Sequence, residues 1–583
     1  MVMAKKADFN EIGKRFSIDP VVARIIRNRD VIGEDAIESY LNGGLEQLYQ
    51  PRSMKDIEKA VEILIEKINS GKKIRVIGDY DIDGIQSTYI LSEALKICDA
   101  NVDITIPHRI SDGYGLNQRL IMEAYEEGVD TILTCDNGIA ATAEIALGKS
   151  LGMTIIVTDH HEVPYEETQN GRSYKIPCAD AVVNPKQTDC NYPFKELCGA
   201  AVAYKLVEVL FQEFGKEKEE IHRFLPYAAF ATIGDVMELQ GENRILVKEG
   251  LKRLRHTDNK GMHALMIQNK LLPQDVKAYH IGFVLGPCLN ASGRLDTAVR
   301  AIELLRATRE KDVVELAKDL VDLNDSRKAL TTKGVEEADL LAQNAIAAGD
   351  KVLVLFLPEC HESLAGIIAG RIREKYNRPV FILTRGEEGV KGSGRSIEAY
   401  SMYEEMCKVK ELFTKFGGHP MAAGLSLPEE YVGELRRRLN ELTILTEEDF
   451  IPKIMIDVPM PIDYITPQLV EQLQLLEPFG KGNEKPVFAD KELRILSAQI
   501  LGKNANVCKM QIESRYGTRM EAVYFGDVEN LKNSIEKKYG MEAVATLFQG
   551  KTEQEIRMSF VYYPDINRYN GKETLQIIVK NYC

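Results

Sequence analysis

The chain has no tryptophan and no cysteine pair at redox or zinc-ribbon spacing. Its ten cysteines are scattered from Cys98 to Cys583 without one C-x-x-C, which argues against a structural zinc site and a catalytic dithiol. Ten thiols in 583 residues are also too sparse for a secreted disulfide scaffold, so reduced and mostly buried cysteines are expected. No apolar run approaches the roughly 18 residues of a membrane span. The N-terminus, MVMAKKADFNEIGKRF, lacks the apolar core of a signal peptide, and a cytoplasmic protein is expected. No G-x-x-x-x-G-K-[ST] loop is present, which excludes an ATP-driven helicase of that type. Positive charge is also in deficit: 74 Lys and Arg against 88 Asp and Glu give −14. Any polyanion must therefore be bound by a local basic groove, not by bulk charge. There is no internal repeat and no low-complexity tract.

What is present is a long alternation of strand and helix patterns. A chain of 583 residues exceeds one hydrophobic core and predicts three to five domains. DIEKAVEILIEKI (56–68) has helical spacing, and IRVIG (74–78) reads as a strand. The short runs VDITIP (102–107), TILTC (131–135), TIIVT (154–158) and AVVN (181–184) follow, mostly separated by helical segments. Short strands without polar alternation predict a mostly parallel sheet covered on both faces. Residues 299–348 read as long connecting helices. A second α/β pattern starts at KVLVLF (351–356), with a helix over 362–375, a strand at 379–384 and the glycine-rich segments GVKGSGRS and FGGHPMAAG. Beyond about 446, alternating stretches such as NVCKMQIES, RMEAVYFG and TLQIIVKNY predict a β-rich terminal domain, with a five-stranded oligonucleotide-binding (OB) barrel as one candidate. The fold expected is α/β multidomain, divided as 1–55 (N-terminal helical segment), 56–298 (parallel-sheet catalytic domain), 299–348 (connecting helices), 349–445 (smaller α/β domain) and 446–583 (OB-like barrel).

Ligands bind at the carboxyl ends of strands in such sheets, and acids and histidines fall there repeatedly. The densest motif is Asp79-Tyr80-Asp81-Ile82-Asp83-Gly84. Three carboxylates so close repel one another unless a cation sits between them. An EF-hand is excluded, because Ile90 occupies the twelfth position, where a bidentate Glu is needed. Gly84 suits a tight strand-to-helix turn. Asp136 follows TILTC, Asp159-His160-His161 follows TIIVT, and Asp235 lies in ATIGDVMEL. Each alone reads as a cap or turn residue. Together they form an oxygen-rich, thiolate-free set suited to Mn²⁺ or Mg²⁺, with enough carboxylates for two ions sharing a bridging acid.

DYDIDG, CDNG, DHH and GD, in that order, resemble the four motifs of the DHH phosphoesterase superfamily. IPHRISDGYGLN, LCGAAVAYKL, GENRILVKEGL and PCLNASGRLDTA are similar to its longer, single-strand-specific exonuclease branch. HESLAGIIAGRIREKYNRPVFIL, GSGRS and FGGHPMAAGLSL resemble the DHH-associated domain, and LLEPFGKGNEKPVF the start of that branch's OB domain. The resemblance spans roughly residues 50–583. It implies a 5′→3′ exonuclease on single-stranded DNA that releases nucleoside 5′-monophosphates and acts in DNA repair and recombination. Carried over by motif, Asp81, Asp83, Asp136, His160 and Asp235 hold two ions (Mn²⁺ or Mg²⁺), with Asp136 bridging. His161 contacts the scissile phosphate, and Asp79 and Asp159 support the ligands. Arg109, Arg294, Ser393, Arg395 and His419 are the expected DNA and phosphate contacts, His419 having a turn-locking role as the equal alternative. Single-stranded DNA is the expected partner, with a helicase and a single-strand-binding protein as candidates, no membrane, and a monomer by default.

The chain departs from the family at Cys360-His361-Glu362-Ser363, where Trp-His followed by Pro-Gly is usual. Base stacking then falls to Tyr, Phe or Arg. Tyr114, Tyr400 and Phe416 are candidates, each with buried packing as the competing role. Two other functions remain open: a phosphodiesterase for short oligonucleotides or cyclic dinucleotides, and a non-catalytic scaffold like the DHH-related subunit of the eukaryotic replicative helicase.

Overall fold

The computed structural model describes all residues except 110–111, 169–170, 387–388, 503–504, 551–553 and 570. The chain folds as two compact units, one made of residues 50–235 with 250–452, the other of 1–49, 236–249 and 453–583. Among the described residues no helix is long and apolar enough to cross a membrane.

The first unit opens with a five-stranded sheet of β1 (Lys73–Ile77), β2 (Asn101–Thr105), β3 (Thr131–Cys135), β4 (Thr154–Thr158) and β7 (Ala181–Val183), in the order β2-β1-β3-β4-β7. All pairs are parallel. This is the outcome the non-alternating Ile, Val and Leu runs predict, since both faces are covered. Helix Ile82–Ile97 packs against helices Gly199–Glu213 and Leu225–Gly234. Between β4 and β7 the chain makes an isolated hairpin, β5 (Tyr165–Thr168) and β6 (Gly171–Tyr174), which the sequence reading did not anticipate. Its residues are polar or aromatic and wholly exposed, so no apolar periodicity marks it.

A 38-residue helix, Glu310–Ala347, connects this lobe to a second sheet. At 1.5 Å per residue it spans about 57 Å. Its C-terminal half supplies Ala338, Ala342 and Ala345 to the core around Leu355, Ile368 and Ile382. The second sheet contains β8 (Leu353–Phe356), β9 (Val380–Arg385), β10 (Val390–Arg395), β11 (Lys415–His419) and β12 (Ala422–Leu427), in the order β11-β12-β10-β9-β8. The glycine-rich segments of the sequence are therefore strands. In β10 a Cβ on Gly392 would run into Leu383 of β9, and one on Gly394 into the Met402 side chain.

The second unit is a barrel. Strands β14 (Phe488–Leu501), β15 (Val507–Glu513), β16 (Arg519–Phe525), β17 (Ile556–Tyr569) and β18 (Lys572–Tyr582) close through the β14–β17 pairing, with β13 (Val458–Pro459) added along β14. The ring has five strands, as an OB barrel requires. The N-terminal helices share its core: Val22, Ile25 and Ile26 pack with Val470, Phe488 and Tyr562. Arg29 locks this arrangement through a fork onto Asp457, at 2.6 and 3.2 Å, with both side chains 5% exposed.

Candidate metal centre and substrate pocket

The carboxyl ends of β1, β3 and β4 deliver the acids and histidines to one crevice. Asp81 caps helix Ile82–Ile97, its Oδ1 accepting the N–H groups of Asp83 (3.0 Å) and Gly84 (3.1 Å). Gly84 lies inside the first helical turn and lacks a positive φ, so its role is not conformational freedom. A Cβ there would strike the backbone of Asp79, and close approach is what demands glycine.

Asp83 is gripped from a distant segment. Its two oxygens accept the N–H groups of Gly199 (2.6 Å) and Ala200 (2.7 Å), the first residues of helix Gly199–Glu213. A helix N-terminus favours an anion through its free N–H groups and dipole. The LCGAAVAYKL segment therefore supplies a carboxylate clamp, a role that motif order alone did not reveal. A Cβ on Gly199 would sit 2.6 Å from that of Asp136. Gly199→Ala is expected to destabilise the fold by about 1–3 kcal/mol and to cut turnover more sharply than stability. Thermal unfolding and turnover of the same variant check this.

Asp136 adopts a left-handed backbone (φ 60°) and is 1% exposed. Neither of its carboxylate oxygens has a hydrogen-bond partner. His160 Nε2 lies 3.1 Å from Asp136, 3.5 Å from Asp83 and 3.8 Å from Asp235. Two ligand groups result, Asp136–His160–His161 and Asp83–His160–Asp235, each with its ligand atoms within 4.8 Å of one another. His160 is the residue common to both. Asp81 is in neither group, its Oδ1 being engaged in the helix cap.

The electrostatics are those of a cation site. Burial, then Asp83 and Asp81, push the Asp136 carboxyl well above its ordinary range. Burial and the neighbouring Asp81 raise Asp79 to about 8. Asp81 is raised by burial and by Asp83. Burial alone would raise Asp159 too, but hydrogen bonding from His161 and Ile139 holds it below the usual value. Asp159 accepts from His161 Nδ1 at 2.8 Å and from the backbone N–H groups of His160, His161 and Ile139 at 2.7–3.1 Å. Burial opposes charge on His161, yet Asp159 and the surrounding acids lift it to about 9. Unpaired buried oxygens and crowded carboxylates fit one or two hard divalent cations.

The Tyr114 hydroxyl stands 2.9 Å from His161 Nε2 and 3.2 Å from the Asp136 carbonyl oxygen. The sequence offered Tyr114 only as a stacking candidate. Gly113 and Gly115, with φ of 77° and 70°, carry it on an arch over the crevice. Tyr114→Phe is expected to lower kcat about three- to ten-fold, the worth of one hydrogen bond. Steady-state kinetics check this, KM staying within two-fold.

The basic residues gather on the other side. Arg109 lies over the Tyr80 ring at 4.6 Å. The rest of its motif includes Ile110 and Ser111, outside the described residues. Arg294 donates to the Ser363 carbonyl at 2.7 Å, tying the first lobe to the second. Burial, Arg109 and Arg327 pull Arg294 down to about 10. A cavity of about 510 Å³ is lined by Tyr80, Arg109, Ser363, Lys391, Ser393 and Phe416, among others. Arg395 is partly buried behind Ser393 on β10 and donates to Gly394 O at 2.8 Å. His419 is exposed on β11 and its Nδ1 accepts the Met421 N–H, which is the turn-locking role. Tyr400, 3% exposed, is buried in the second lobe and cannot serve as a stacking platform, because its position faces the core. His361, at the departure from the family motif, caps the turn Glu362–Leu364 through Ser363.

A parallel sheet with this acid and histidine crevice and a second α/β lobe defines a DHH-family protein. The model of the DHH family N-terminal domain matches residues 73–233, that of the DHHA1 domain 349–444, and that of the RecJ OB domain 456–581. The chain belongs to the RecJ family. It is 33% identical to the single-stranded-DNA-specific exonuclease RecJ of Bacillus subtilis, over 97% of this chain and 68% of the relative. It is 31% identical to RecJ of Escherichia coli, over 97% and 96%. The crystal structure of Thermus thermophilus RecJ in complex with Mn²⁺ superposes with a TM-score of 0.81 at 26% identity, covering all of this chain and 79% of that one. A complex of the same protein with Mg²⁺ gives 0.75 at 25%.

Proposed function

We propose that the chain is a 5′→3′ exonuclease that removes nucleoside 5′-monophosphates from single-stranded DNA by two-metal-ion hydrolysis, in DNA repair and recombination. The observation that carries this reading is the Asp136–His160 crevice: two ligand groups around one imidazole, with neither Asp136 oxygen accepting a hydrogen bond. Near-full-length likeness to single-stranded-DNA-specific exonucleases supports the substrate. Asp81, Asp83, Asp136, His160 and Asp235 would hold Mn²⁺ or Mg²⁺, Asp136 being the bridging acid. Bound there, such ions supply a nucleophilic water at neutral pH and Lewis acidity at the phosphate.

The chain's own residues do the rest. His161, kept protonated by Asp159, contacts a phosphate oxygen together with the Tyr114 hydroxyl that it holds at Nε2. Asp79 and Asp159 support the ligand loops. Arg109 and Ser393, which line the 510 Å³ cavity, bind the terminal nucleotide's phosphate there, joined by Arg294 beside Ser363 and Arg395 beside Gly394, arginine forks gripping its oxygens in pairs, and His419 shapes the adjoining turn. The OB barrel also binds the single strand. We read the chain as a cytoplasmic monomer, with a helicase and a single-strand-binding protein as partners.

The test compares degradation of a long 5′-phosphorylated single strand, the corresponding duplex and a dinucleotide, with Mn²⁺ and with chelator. The expected order is long strand far above duplex, with no activity under chelator. A dinucleotide degraded much faster than the long strand would move the chain to the short-oligonucleotide reading.

A further inference from the structure

The second sheet turns one polar face to the 510 Å³ cavity. Alternate side chains of a strand share a face, and on β10 Lys391 and Ser393 both line the cavity. Lys391 lies in register with Thr384 on β9 and Ser426 on β12, and Ser393 with Gly424, all of them cavity residues. Lys415 and Gly417 continue this floor on β11, Lys415 opposite Ser426. A Cβ on Gly417 or Gly424 would meet nothing within 4 Å, so the floor is open there. Glu362 and Ser363 reach the cavity from the turn Glu362–Leu364, just ahead of helix Ala365–Tyr376.

The charges of the cavity are unequal. Among the described residues that line it, Arg109, Lys391 and Lys415 are cationic and Glu362 alone is acidic. That surplus suits a terminal phosphate monoester, which carries about −1.5 to −2 at pH 7, better than an internal diester with a single negative charge. A carboxylate in such a cavity opposes the phosphate, and its contact shows what it does there. Glu362 Oε2 lies 2.9 Å from Lys391 Nζ, with side chains 21% and 39% exposed. The two ends are held differently. His361 caps the Glu362 turn by accepting the Ser363 N–H, whereas Lys391 reaches out from its strand on a flexible four-carbon stem. A partly exposed ion pair is weak, and a charge-assisted hydrogen bond to phosphate is strong. An entering phosphate therefore outcompetes the carboxylate for Lys391.

We propose that Glu362 and Lys391 form an exchangeable ion pair that sets how tightly the cavity holds a terminal phosphate: Lys391 leaves Glu362 for an entering 5′-phosphate, and Glu362 takes it back as the nucleoside 5′-monophosphate is released. The proposal rests on the exonuclease reading and adds to it a further phosphate contact, Lys391, and a residue that limits retention of the product, Glu362.

The test uses the full chain as wild type, E362Q, K391M and E362Q/K391M. Calorimetry in the presence of chelator measures binding of dAMP, with 2′-deoxyadenosine as the control that lacks the phosphate. E362Q should bind dAMP about three- to five-fold more tightly than wild type, the scale of a partly exposed ion pair. K391M should bind it about ten-fold more weakly, the scale of one hydrogen bond to a charged group. The double variant should match K391M, since Glu362 acts through Lys391, and deoxyadenosine should bind all four proteins alike. In degradation assays with Mn²⁺, dAMP should inhibit E362Q more strongly than wild type by a like factor. The exchange is overturned if E362Q leaves dAMP affinity unchanged, if it tightens dAMP equally when Lys391 is absent, or if wild type binds dAMP no better than deoxyadenosine. A wild type that shows the expected binding pattern yet leaves a 5′-phosphorylated single strand intact with Mn²⁺ overturns the exonuclease reading instead.

Discussion

Asp136→Asn should abolish Mn²⁺-dependent degradation of single-stranded DNA, by a factor of about 10³ or more, since several kcal/mol of transition-state stabilisation depend on the ions. Asparagine is the informative substitution. It tolerates the left-handed backbone that Asp136 adopts at φ 60°, and it matches the carboxylate in shape. Loss of activity then reports loss of a ligand. The Tm increase on adding Mn²⁺ should shrink in the variant, because a ligand that binds only the folded state stabilises it by mass action. The metal-free protein offers a second readout. Asp79 is raised to about 8 and Asp136 well above its usual range, both by burial and then by neighbouring acids. A raised carboxyl stabilises the fold below its unfolded pKa, about 4, and that contribution is lost as pH climbs through the folded value. Metal-free wild type should therefore lose stability between about pH 4 and 8, and the variant should lose less. Denaturant melts at several pH values check this; full activity in the variant would sink the two-ion assignment.

Arg29→Ala should cost about 3–5 kcal/mol in the barrel unit, the usual consequence of stripping one partner from a buried ion pair. Arg29 forks onto Asp457 and also donates to Glu484 O at 2.9 Å, while Asp457 accepts the Val487 N–H at 3.0 Å. The alanine variant leaves a buried carboxylate without its charge partner and opens a gap beneath the N-terminal helices. The double variant R29M/D457L, apolar on both sides, should recover much of the loss, since the damage comes from the uncompensated charge. Urea unfolding of the single and double variants measures this directly. A single variant within about 1 kcal/mol of wild type would mean that the N-terminal helices add little to the barrel.

The crevice of acids and histidines was largely legible in the sequence because strand ends are. Short apolar runs mark β1, β3 and β4, and the residues that follow them must meet at one edge of a parallel sheet. Three of the barrel strands, β15, β16 and β18, were legible for a similar reason: alternation with period two survives without any knowledge of partners, whereas the β14–β17 closure was not. Other features could not be read. The clamp on Asp83 comes from Gly199 and Ala200, 116 and 117 positions away, and nothing local in LCGAAV announces an anion site. Tyr114 looked like a loop aromatic until its hydroxyl was found on His161. The β5–β6 hairpin carries no buried residue, so hydrophobic patterning is silent there.

The sequence by itself determined the ligand chemistry, oxygen and imidazole without thiolate, and the order of lobes and barrel, because residue type and periodicity are local properties. Only the tertiary structure decided that both Asp136 oxygens lack a hydrogen bond and that Arg29 closes onto Asp457. Those outcomes depend on hydrogen bonds and burial between segments far apart in the chain, and each such contact forms only after the chain has folded.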